Sequence, residues 1–316
     1  MGHNCLVTGG AGFIGSNLVA ALLDHGENVR VVDNFSTGKR ENLESLLDRI
    51  ELIVGSITEE EICRHAVENM DFVFHEAALA SVTRSVDDPV STDWANVGAT
   101  VRLLTAAKNA RVRRVIYAAS SSAYGDIEAP VKSETLSPRP MSPYAASKLA
   151  GEYYCQAFHA VYGLETIALR YFNVFGPNQD PSSPYSAVIP LFVTAALDGR
   201  KPTIFGNGRQ SRDFTFVANV VHANVLACQA PAAAVGQVFN IACGRSIDLL
   251  TLLAEIGGIV GTKIEPVFAP PRPGDVRHSL ADLGKARELL GYKPTVPFEE
   301  GLRRTIEWYR SHRNRW

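Results

Sequence analysis

The chain has 316 residues, 46% of them hydrophobic and 20% charged, and its formal net charge is -2. This composition is typical of a globular protein, and the length favours one large α/β domain with a smaller partner. A charge so near zero gives no reason to expect nucleic acid or a membrane surface as a partner. We expect no secretory signal, because residues 1–7 lack a basic region followed by an apolar run. We expect no transmembrane segment, because no apolar run approaches the roughly 20 residues that cross a bilayer.

Five scattered cysteines without CxxC spacing are typical of buried thiols in a reducing compartment. The sequence therefore predicts a cytoplasmic protein without disulfides. No grouping of His, Cys, Asp and Glu has metal-ligand spacing, so we expect no metal site. His75 and His222 are interpreted as packed side chains, since each lies within an apolar segment.

The first thirty residues are organised as strand, glycine turn, helix and strand. An apolar strand at residues 5–8 runs into Gly9-Gly10-Ala11-Gly12-Phe13-Ile14-Gly15, and a strand at residues 29–32 ends in Asp33. This order is typical of a dinucleotide-binding fingerprint, in which Gly12 lets backbone N–H groups approach a pyrophosphate. Asp33 would bind the ribose hydroxyls and repel a 2′-phosphate, which favours NAD over NADP. A glycine turn without a ligand is the alternative.

Strands and helices continue to alternate up to about residue 170. We predict strands at residues 50–54, 72–75, 114–118 and 166–170, with helices at 59–68, 94–109 and 144–162. The fold class is therefore α/β, a Rossmann-like doubly wound parallel sheet, with ligands outside the carboxyl ends of the strands. The glycine turn, Asp33, Ala77-Ala78 and Ser120-Ser121-Ser122 all follow strands, so they are expected to face one crevice.

The pattern changes after residue 175, where prolines become frequent and strict alternation ends. An apolar segment at residues 238–241 is predicted to return to the main sheet. We therefore predict an NAD-binding domain at 1–175, with a returning segment near 214–242. A smaller, interleaved C-terminal α/β substrate domain is predicted at 176–213 and 243–316.

Tyr144 and Lys148 lie four residues apart, so on a helix their side chains share a face. A neighbouring ammonium favours the phenolate form of a tyrosine, and a cationic cofactor ring would favour it further. Lowering the tyrosine pKa from about 10 to about 7 takes roughly 4 kcal/mol. Taken alone, such a pair is more often a core contact beside a solvated lysine.

Together, the glycine turn, Ser120 and the Tyr144-xxx-Lys148 pair resemble the extended short-chain dehydrogenase/reductase superfamily. The greatest similarity is to its nucleotide-sugar 4-epimerases, of the UDP-glucose and UDP-N-acetylglucosamine types. The similarity covers almost the whole chain and includes the motifs Asp33-Asn34-Phe35-Ser36-Thr37-Gly38, Leu169-Arg170-Tyr171-Phe172-Asn173-Val174 and Arg272-Pro273-Gly274-Asp275.

The resemblance implies catalytic roles. Tyr144 would take the proton of the sugar 4-hydroxyl while hydride passes from C4 to the nicotinamide. Lys148 would bind the nicotinamide ribose and hold Tyr144 as phenolate, and Ser120 would hydrogen-bond the 4-oxygen. The resulting 4-keto sugar would turn over in the pocket and take the hydride back on its other face, which regenerates NAD in each cycle.

The resemblance also implies the residues that bind NAD. Ser56 departs from the family pattern, since an aspartate usually meets the adenine edge there. The implied cofactor-binding residues are Gly9, Gly12, Phe13, Ile14, Gly15, Asp33, Asn34, Ser36, Thr37, Gly38, Ser56, Ile57, Ala77, Ala78, Tyr144, Lys148 and Phe172.

A UDP-sugar is the implied substrate, with Arg212 and Arg272 gripping its phosphates, a task suited to the guanidinium fork. Without the resemblance, these arginines would more often be surface charge. Asn173 would lie near the diphosphate and Asp275 near the uridine ribose. The implied substrate-binding residues are Ser81, Ser120, Ser121, Ser122, Asn173, Arg212, Arg272, Asp275 and Ser279.

Two features discriminate among relatives. Ser121 and Ser122 replace the acidic residues of dehydratases and decarboxylases, and hydroxyls cannot do carboxylate chemistry near neutral pH. Ser279 occupies the position where a small residue admits an N-acetyl group, so acetylated and plain hexoses are both expected. Ala80 replaces a common glycine, and its methyl group would crowd the sugar.

Other functions stay open. Within the superfamily, the chain would be a UDP-glucuronate 4-epimerase or decarboxylase. From another class, it would be a non-catalytic NAD-binding regulator, although the retained Ser120, Tyr144 and Lys148 argue against that. A homodimer is expected by resemblance, through the helices at 94–109 and 144–162.

Overall fold

The computed structural model describes residues 2–182, 187–271 and 277–315. Strands over these residues are β1 Asn4–Thr8, β2 Asn28–Asp33, β3 Ile50–Val54, β4 Phe72–His75, β5 Arg114–Ser120, β6 Glu165–Tyr171, β7 Val174–Phe175, β8 Thr203–Phe205, β9 Ser211–Asp213, β10 Thr215–Phe216, β11 Gln237–Ile241, β12 Ser246–Asp248 and β13 Val267–Ala269. Helices are α1 Phe13–Asp24, α2 Glu60–Ala66, α3 Val82–Asp87, α4 Pro89–Asp93, α5 Ala99–Asn109, α6 Pro143–Tyr162, α7 Val188–Leu197, α8 Val217–Gln229, α9 Leu249–Val260, α10 Gly284–Leu290 and α11 Phe298–Ser311.

The central sheet has seven parallel strands in the order β11–β6–β5–β4–β1–β2–β3. Its strands are apolar over nearly their whole length because helices cover both faces, as in β4 and β5. The predicted Rossmann-like α/β fold is confirmed. So is the return of residues 238–241 to the sheet, because β11 pairs with β6.

Two clusters of buried residues fill the faces of this sheet. One lies under α1, α8 and α10, and the other under α2, α5 and α6. A third cluster gathers α7, α9 and α11 around the aromatic side chains of Phe175, Phe216 and Phe298. These apolar clusters supply most of the driving force that fixes the strand ends in place.

The packing cuts across the predicted domain limits in one place. Residues between Ala281 and Tyr292 fall in the range predicted for the substrate domain, yet they pack into the cluster under α1 and α8. The substrate-side cluster is instead built from residues between Phe175 and Tyr309 that leave this segment out. The domain boundaries themselves stay a prediction.

The helix predicted at residues 94–109 begins earlier than expected. α4 continues through a π-helical stretch, Trp94–Gly98, directly into α5. π-Helical turns inside α-helices often occur at functional sites, and this one faces the carboxyl edge of the sheet. In the described ranges, no helix is both long enough and apolar enough to cross a membrane.

Strand register brings the predicted site residues to one edge. Thr8 lies beside both Val32 and His75, and Ser120 lies beside Tyr171. Because the strands are parallel, the segments that follow them all emerge at this edge. It includes the boundary between β1 and β4, where the strand order reverses and ligands bind in open α/β sheets.

Candidate active site

A cavity of about 660 Å³ opens at this edge of the sheet. It brings together most of the predicted cofactor residues and one predicted substrate residue: Gly9, Gly12, Phe13, Ile14, Gly15, Asp33, Asn34, Ser36, Thr37, Ser56, Ile57, Ala77, Ala78 and Ser81. Gly38 lies against Ala11 and the Asp33 carboxylate. Phe172 differs, because its side chain is fully buried beside Tyr124, so only its backbone is left to serve a cofactor.

The glycine turn is shaped by close approaches of backbone. Gly9 has a φ of +70°, and a Cβ there would lie 2.7 Å from the backbone of Ala77. A Cβ on Gly15 would overlap with the carbonyl oxygen of Gly9. Gly12 caps α1 without a side chain, so the first N–H groups of the helix face the cavity. The positive end of the helix dipole makes this a favourable place for a diphosphate.

Asp33 lies at the end of β2 and lines the cavity. Its carboxylate accepts N–H hydrogen bonds from Ala11 at 2.9 Å and from Phe35 at 2.8 Å. Burial raises the pKa of this carboxyl, and the two N–H groups oppose the rise. Each oxygen keeps a further lone pair, which suits ribose hydroxyls. The glycine turn and Asp33 thus fit the two ends of an adenosine diphosphate.

The structure brings Ser120, Tyr144 and Lys148 together at the end of β5. The helix α6 begins with Pro143, and Ser142 caps it by accepting a hydrogen bond from the Ala145 N–H at 3.1 Å. This start places Tyr144 in the first turn, within hydrogen-bonding reach of Ser120. Lys148, one turn later, donates to the Ala118 carbonyl at 2.8 Å.

The serine triplet is held by its own hydrogen bonds. Ser122 donates to Ser120 Oγ through its hydroxyl at 2.8 Å and through its backbone N–H at 3.2 Å. Ser120 Oγ is therefore held by Ser122 and lies close enough to Tyr144 to lower the pKa of its phenol, so it can pass a proton between a substrate oxygen and that phenol. Ser121 begins the 3₁₀ turn Ser121–Tyr124 that follows the strand.

Burial governs the charges of the catalytic group. It raises the pKa of Tyr144, and the Glu76 carboxylate adds to the rise while the Ser120 hydrogen bond opposes it. Burial also lowers the pKa of Lys148 to about 8, and the negative charge of Glu76 opposes this fall. Burial therefore opposes the phenolate form of Tyr144. The phenolate role implied for Tyr144, with Lys148 and a cationic nicotinamide beside it, stays a prediction.

The remaining predicted substrate residues divide between two places. Ser81 caps α3 at the cavity wall by accepting a hydrogen bond from the Arg84 N–H at 3.1 Å. Asn173 lies beside β9, the strand that carries Arg212, since Asn173 donates to the Asp213 carbonyl at 3.4 Å. Ser279 is buried beside the same strand, β9, and its N–H donates to the Ser211 carbonyl at 3.1 Å. Arg272 and Asp275 lie outside the described residues.

Two residues of the site were missed. Glu76 follows β4, lines the cavity and accepts a hydrogen bond from the Tyr171 hydroxyl at 2.7 Å. Asn96, in the π-helical stretch, accepts from the Leu79 N–H at 2.8 Å and donates to the Ser147 hydroxyl at 3.0 Å. Asn96 thereby ties the loop after β4 to α6. A single acid or amide within an apolar segment was the only signal in the sequence.

Both histidine interpretations are confirmed. His75 is buried between the hydroxyls of Thr8 and Thr100, at 2.9 and 2.8 Å, and burial lowers its pKa to about 3. His222 is half-buried, and burial lowers its pKa as well. Within the described part of the chain, no group of His, Cys, Asp and Glu is arranged to hold a metal ion.

Comparison with known proteins agrees with this geometry. The sequence profile of the NAD dependent epimerase/dehydratase family matches residues 5–242. A UDP-glucose 4-epimerase of Mycolicibacterium smegmatis is 43% identical over 310 residues, which covers 97% of this chain and 98% of that protein.

Solved structures are similar over nearly the whole chain. A UDP-glucose 4-epimerase of Thermotoga maritima with UDP-glucose has a TM-score of 0.93 and 40% identity, and covers 98% of this chain and 99% of its own. A UDP-N-acetylglucosamine 4-epimerase of Methanobrevibacter ruminantium, in complex with UDP-N-acetylmuramic acid, has a TM-score of 0.93, 41% identity and the same coverage. The resemblance to nucleotide-sugar epimerases is confirmed. The chain belongs to the NAD dependent epimerase/dehydratase family, and it is an enzyme with NAD as its cofactor.

Proposed function

We propose that the enzyme interconverts the 4-epimers of a UDP-hexose through a transient 4-keto sugar. The observation that carries this proposal is the group of hydroxyls at the end of β5, in which Ser122 holds Ser120 Oγ and Ser120 lies close to Tyr144. It can move one proton to and from a substrate oxygen, which is what a reversible oxidation needs. Elimination or decarboxylation needs further acid–base groups, and the positions after Ser120 supply only hydroxyls.

The proposed mechanism assigns each side chain one task. Ser120 hydrogen-bonds the 4-oxygen of the sugar, and Tyr144 takes its proton. Lys148 orients the nicotinamide ribose and places a positive charge beside the phenol. NAD supplies the hydride acceptor and donor when it is bound. The oxidised sugar turns over in the pocket, and Tyr144 returns the proton as the hydride returns to the opposite face of C4.

The nucleotide diphosphate is proposed to lie along β9. Arg212 lies on this strand, near Asn173, so a cation and an amide donor are available on one side. Arg212 donates to the Ser211 carbonyl at 3.0 Å, which restricts its guanidinium to this region. The proposed roles of Arg272 and Asp275 concern residues outside the described ranges and rest on the family resemblance.

Acetylated and plain hexoses are both proposed as substrates: UDP-GlcNAc and UDP-GalNAc alongside UDP-Glc and UDP-Gal. The small, buried side chain of Ser279, next to β9, supports this. Ala80 lines the cavity, and its methyl group is the feature that would limit the larger sugars.

A uronic acid is the second candidate substrate, because Arg84 lines the same cavity. Its guanidinium would pair with a carboxylate at C6 of the sugar. UDP-glucuronate epimerisation or decarboxylation is therefore the alternative reaction. A non-catalytic NAD-binding role has less support, since the three catalytic side chains are assembled.

We propose that the enzyme is a homodimer. The outer faces of α4 to α6 carry exposed apolar and aromatic side chains, among them Val90, Trp94, Tyr153, Tyr154 and Tyr162. An apolar surface of this kind is typical of a protein interface. A cytoplasmic location is supported by the five free thiols. A monomer mass in light scattering at micromolar concentration would refute the dimer.

The function is tested by incubating the purified protein with UDP-Glc, UDP-GlcNAc and UDP-glucuronate, without added NAD, and separating the products. Formation of the 4-epimers of the first two supports the proposal. A product only from UDP-glucuronate would establish the alternative. No turnover of any sugar, even with NAD supplied, would contradict an epimerase and favour the regulator.

A further inference from the structure

Glu76 occupies a fixed position at the wall of the cavity. Its Oε1 accepts a hydrogen bond from the Tyr171 hydroxyl on β6 at 2.7 Å. That hydroxyl accepts in turn from Asn224 on α8 at 2.8 Å. Strand β6, supported by helix α8, therefore holds one carboxylate at the cavity wall.

The hydrogen bond from Tyr171 places Glu76 near the catalytic pair, because Tyr171 lies beside Ser120 in the sheet and Lys148 donates to the Ala118 carbonyl on β5. The charge of Glu76 raises the pKa of both Tyr144 and Lys148, and for Lys148 it is the strongest charge effect. Glu152 acts on Lys148 as well, but its two oxygens are bound by Arg170 at 2.9 and 2.7 Å. Glu76 is thus the principal counter-charge of the buried ammonium.

The titratable groups that act on Glu76 are few. Tyr171 and Lys148 favour its ionised form, while burial raises its pKa to about 7. From α6, Tyr144 and Lys148 face it, and from α8 the neutral amide of Asn224 closes the network. His75, next to it in the chain, has a pKa of about 3 and is uncharged near neutral pH. Glu76 therefore interacts with one ammonium and two phenols, while the cations of Lys39 and Arg84 line other parts of the same cavity.

We propose that Glu76, clamped by Tyr171 and Asn224 at the cavity wall, is a positioning residue for the reaction: its fixed carboxylate sets the charge environment of Tyr144 and Lys148. The inference rests on the proposed function for its catalytic meaning. Removal of this negative charge stabilises the phenolate of Tyr144 and destabilises the ammonium of Lys148. Both groups are then expected to titrate at lower pH, by about one pH unit.

The test is a titration of Tyr144 in the NAD-loaded protein. The ultraviolet difference spectrum between each protein and the same protein carrying Tyr144→Phe isolates the phenolate of this one tyrosine. The variants are Glu76→Gln and Glu76→Ala, which remove the charge, and Glu76→Asp, which keeps it. Glu76 lines a cavity, so the Ala variant enlarges that space and leaves the Tyr171 hydroxyl without its Glu76 acceptor; it serves if the Gln variant does not fold.

Glu134→Gln is the matched control. Glu134 is also half-buried, burial raises its pKa, and it accepts the Asn240 N–H at 2.7 Å, a bond that glutamine can keep. It is not among the groups that act on Tyr144 or Lys148. This control therefore separates the general effect of losing a buried carboxylate from the proposed effect on Tyr144 and Lys148.

The expected result is a midpoint about one pH unit lower in the Gln and Ala variants, with the Asp and Glu134→Gln proteins near wild type. The pH profile of kcat/KM for UDP-galactose is expected to move the same way. A Tyr144 midpoint unchanged or higher without Glu76, or one lowered equally by Glu134→Gln, overturns the proposal. The spectral titration needs no turnover, so absence of epimerisation would contradict the proposed function alone.

Discussion

Arg170 on β6 binds both carboxylate oxygens of Glu152 on α6, through Nε at 2.9 Å and Nη2 at 2.7 Å. Both side chains are buried, and the guanidinium also lies 4.6 Å from the ring of Tyr124. This pair connects the helix that carries Tyr144 to the central sheet. It therefore fixes the position of the catalytic helix.

The first prediction concerns this pair. Arg170→Leu leaves the Glu152 carboxylate buried without its cation, so we expect a loss of about 3–5 kcal/mol in the free energy of unfolding. The double variant Arg170→Met/Glu152→Leu removes both charges and is expected to be more stable than Arg170→Leu. Urea unfolding followed by circular dichroism measures both. A single variant as stable as wild type would contradict the structural role.

The second prediction concerns the glycine turn. Gly15→Ala places a Cβ against the Gly9 carbonyl, so the turn must open and NAD affinity is expected to fall at least tenfold. Gly258→Ala is the control, because Gly258 lies on α9 with nothing within 4 Å of its Cβ position. That variant should bind NAD normally and gain about 0.5–1 kcal/mol of stability. Isothermal titration calorimetry measures the NAD affinity, and urea unfolding measures the stability. Equal NAD affinity in the two variants would contradict the role of the glycine turn in NAD binding.

The third prediction concerns substrate choice. Ser279→Tyr puts a large ring in place of a small, buried side chain beside β9, so kcat/KM for UDP-GlcNAc is expected to fall at least tenfold more than that for UDP-Glc. Ser279→Ala keeps the side chain small and should leave the ratio of the two kcat/KM values within about threefold of wild type. Steady-state kinetics with both sugars measures the ratio. Equal losses for the two sugars in the tyrosine variant would refute selection at this position.

The central sheet could be predicted because its signals are local. Apolar strands such as β4 and β5 alternate with amphipathic helices, and the glycine turn lies between a strand and a helix. The two- and three-residue strands, such as β10 and β12, could not be predicted, because segments this short show no hydrophobic periodicity. The π-helical stretch that precedes α5 depends on tertiary packing, so it could not be predicted from the sequence either.

The sequence predicted which residues form the site better than it predicted how their charges interact. Ser120, Tyr144 and Lys148 were found through motif and resemblance, and the structure brings them together. Glu76 was missed because a single glutamate after a strand has no distinctive pattern. Its effect on Tyr144, like the desolvation that raises the pKa of that phenol, depends on which side chains the fold buries together.

The most direct test of the account is the epimerisation rate of Tyr144→Phe. The wild-type protein and the variant are incubated with UDP-galactose without added NAD, and UDP-glucose is quantified after separation. Loss of the general base should lower kcat by about 10²- to 10⁴-fold, while the amount of NAD bound to the purified protein stays unchanged. A Tyr144→Phe protein that epimerises UDP-galactose at the wild-type rate would contradict the account.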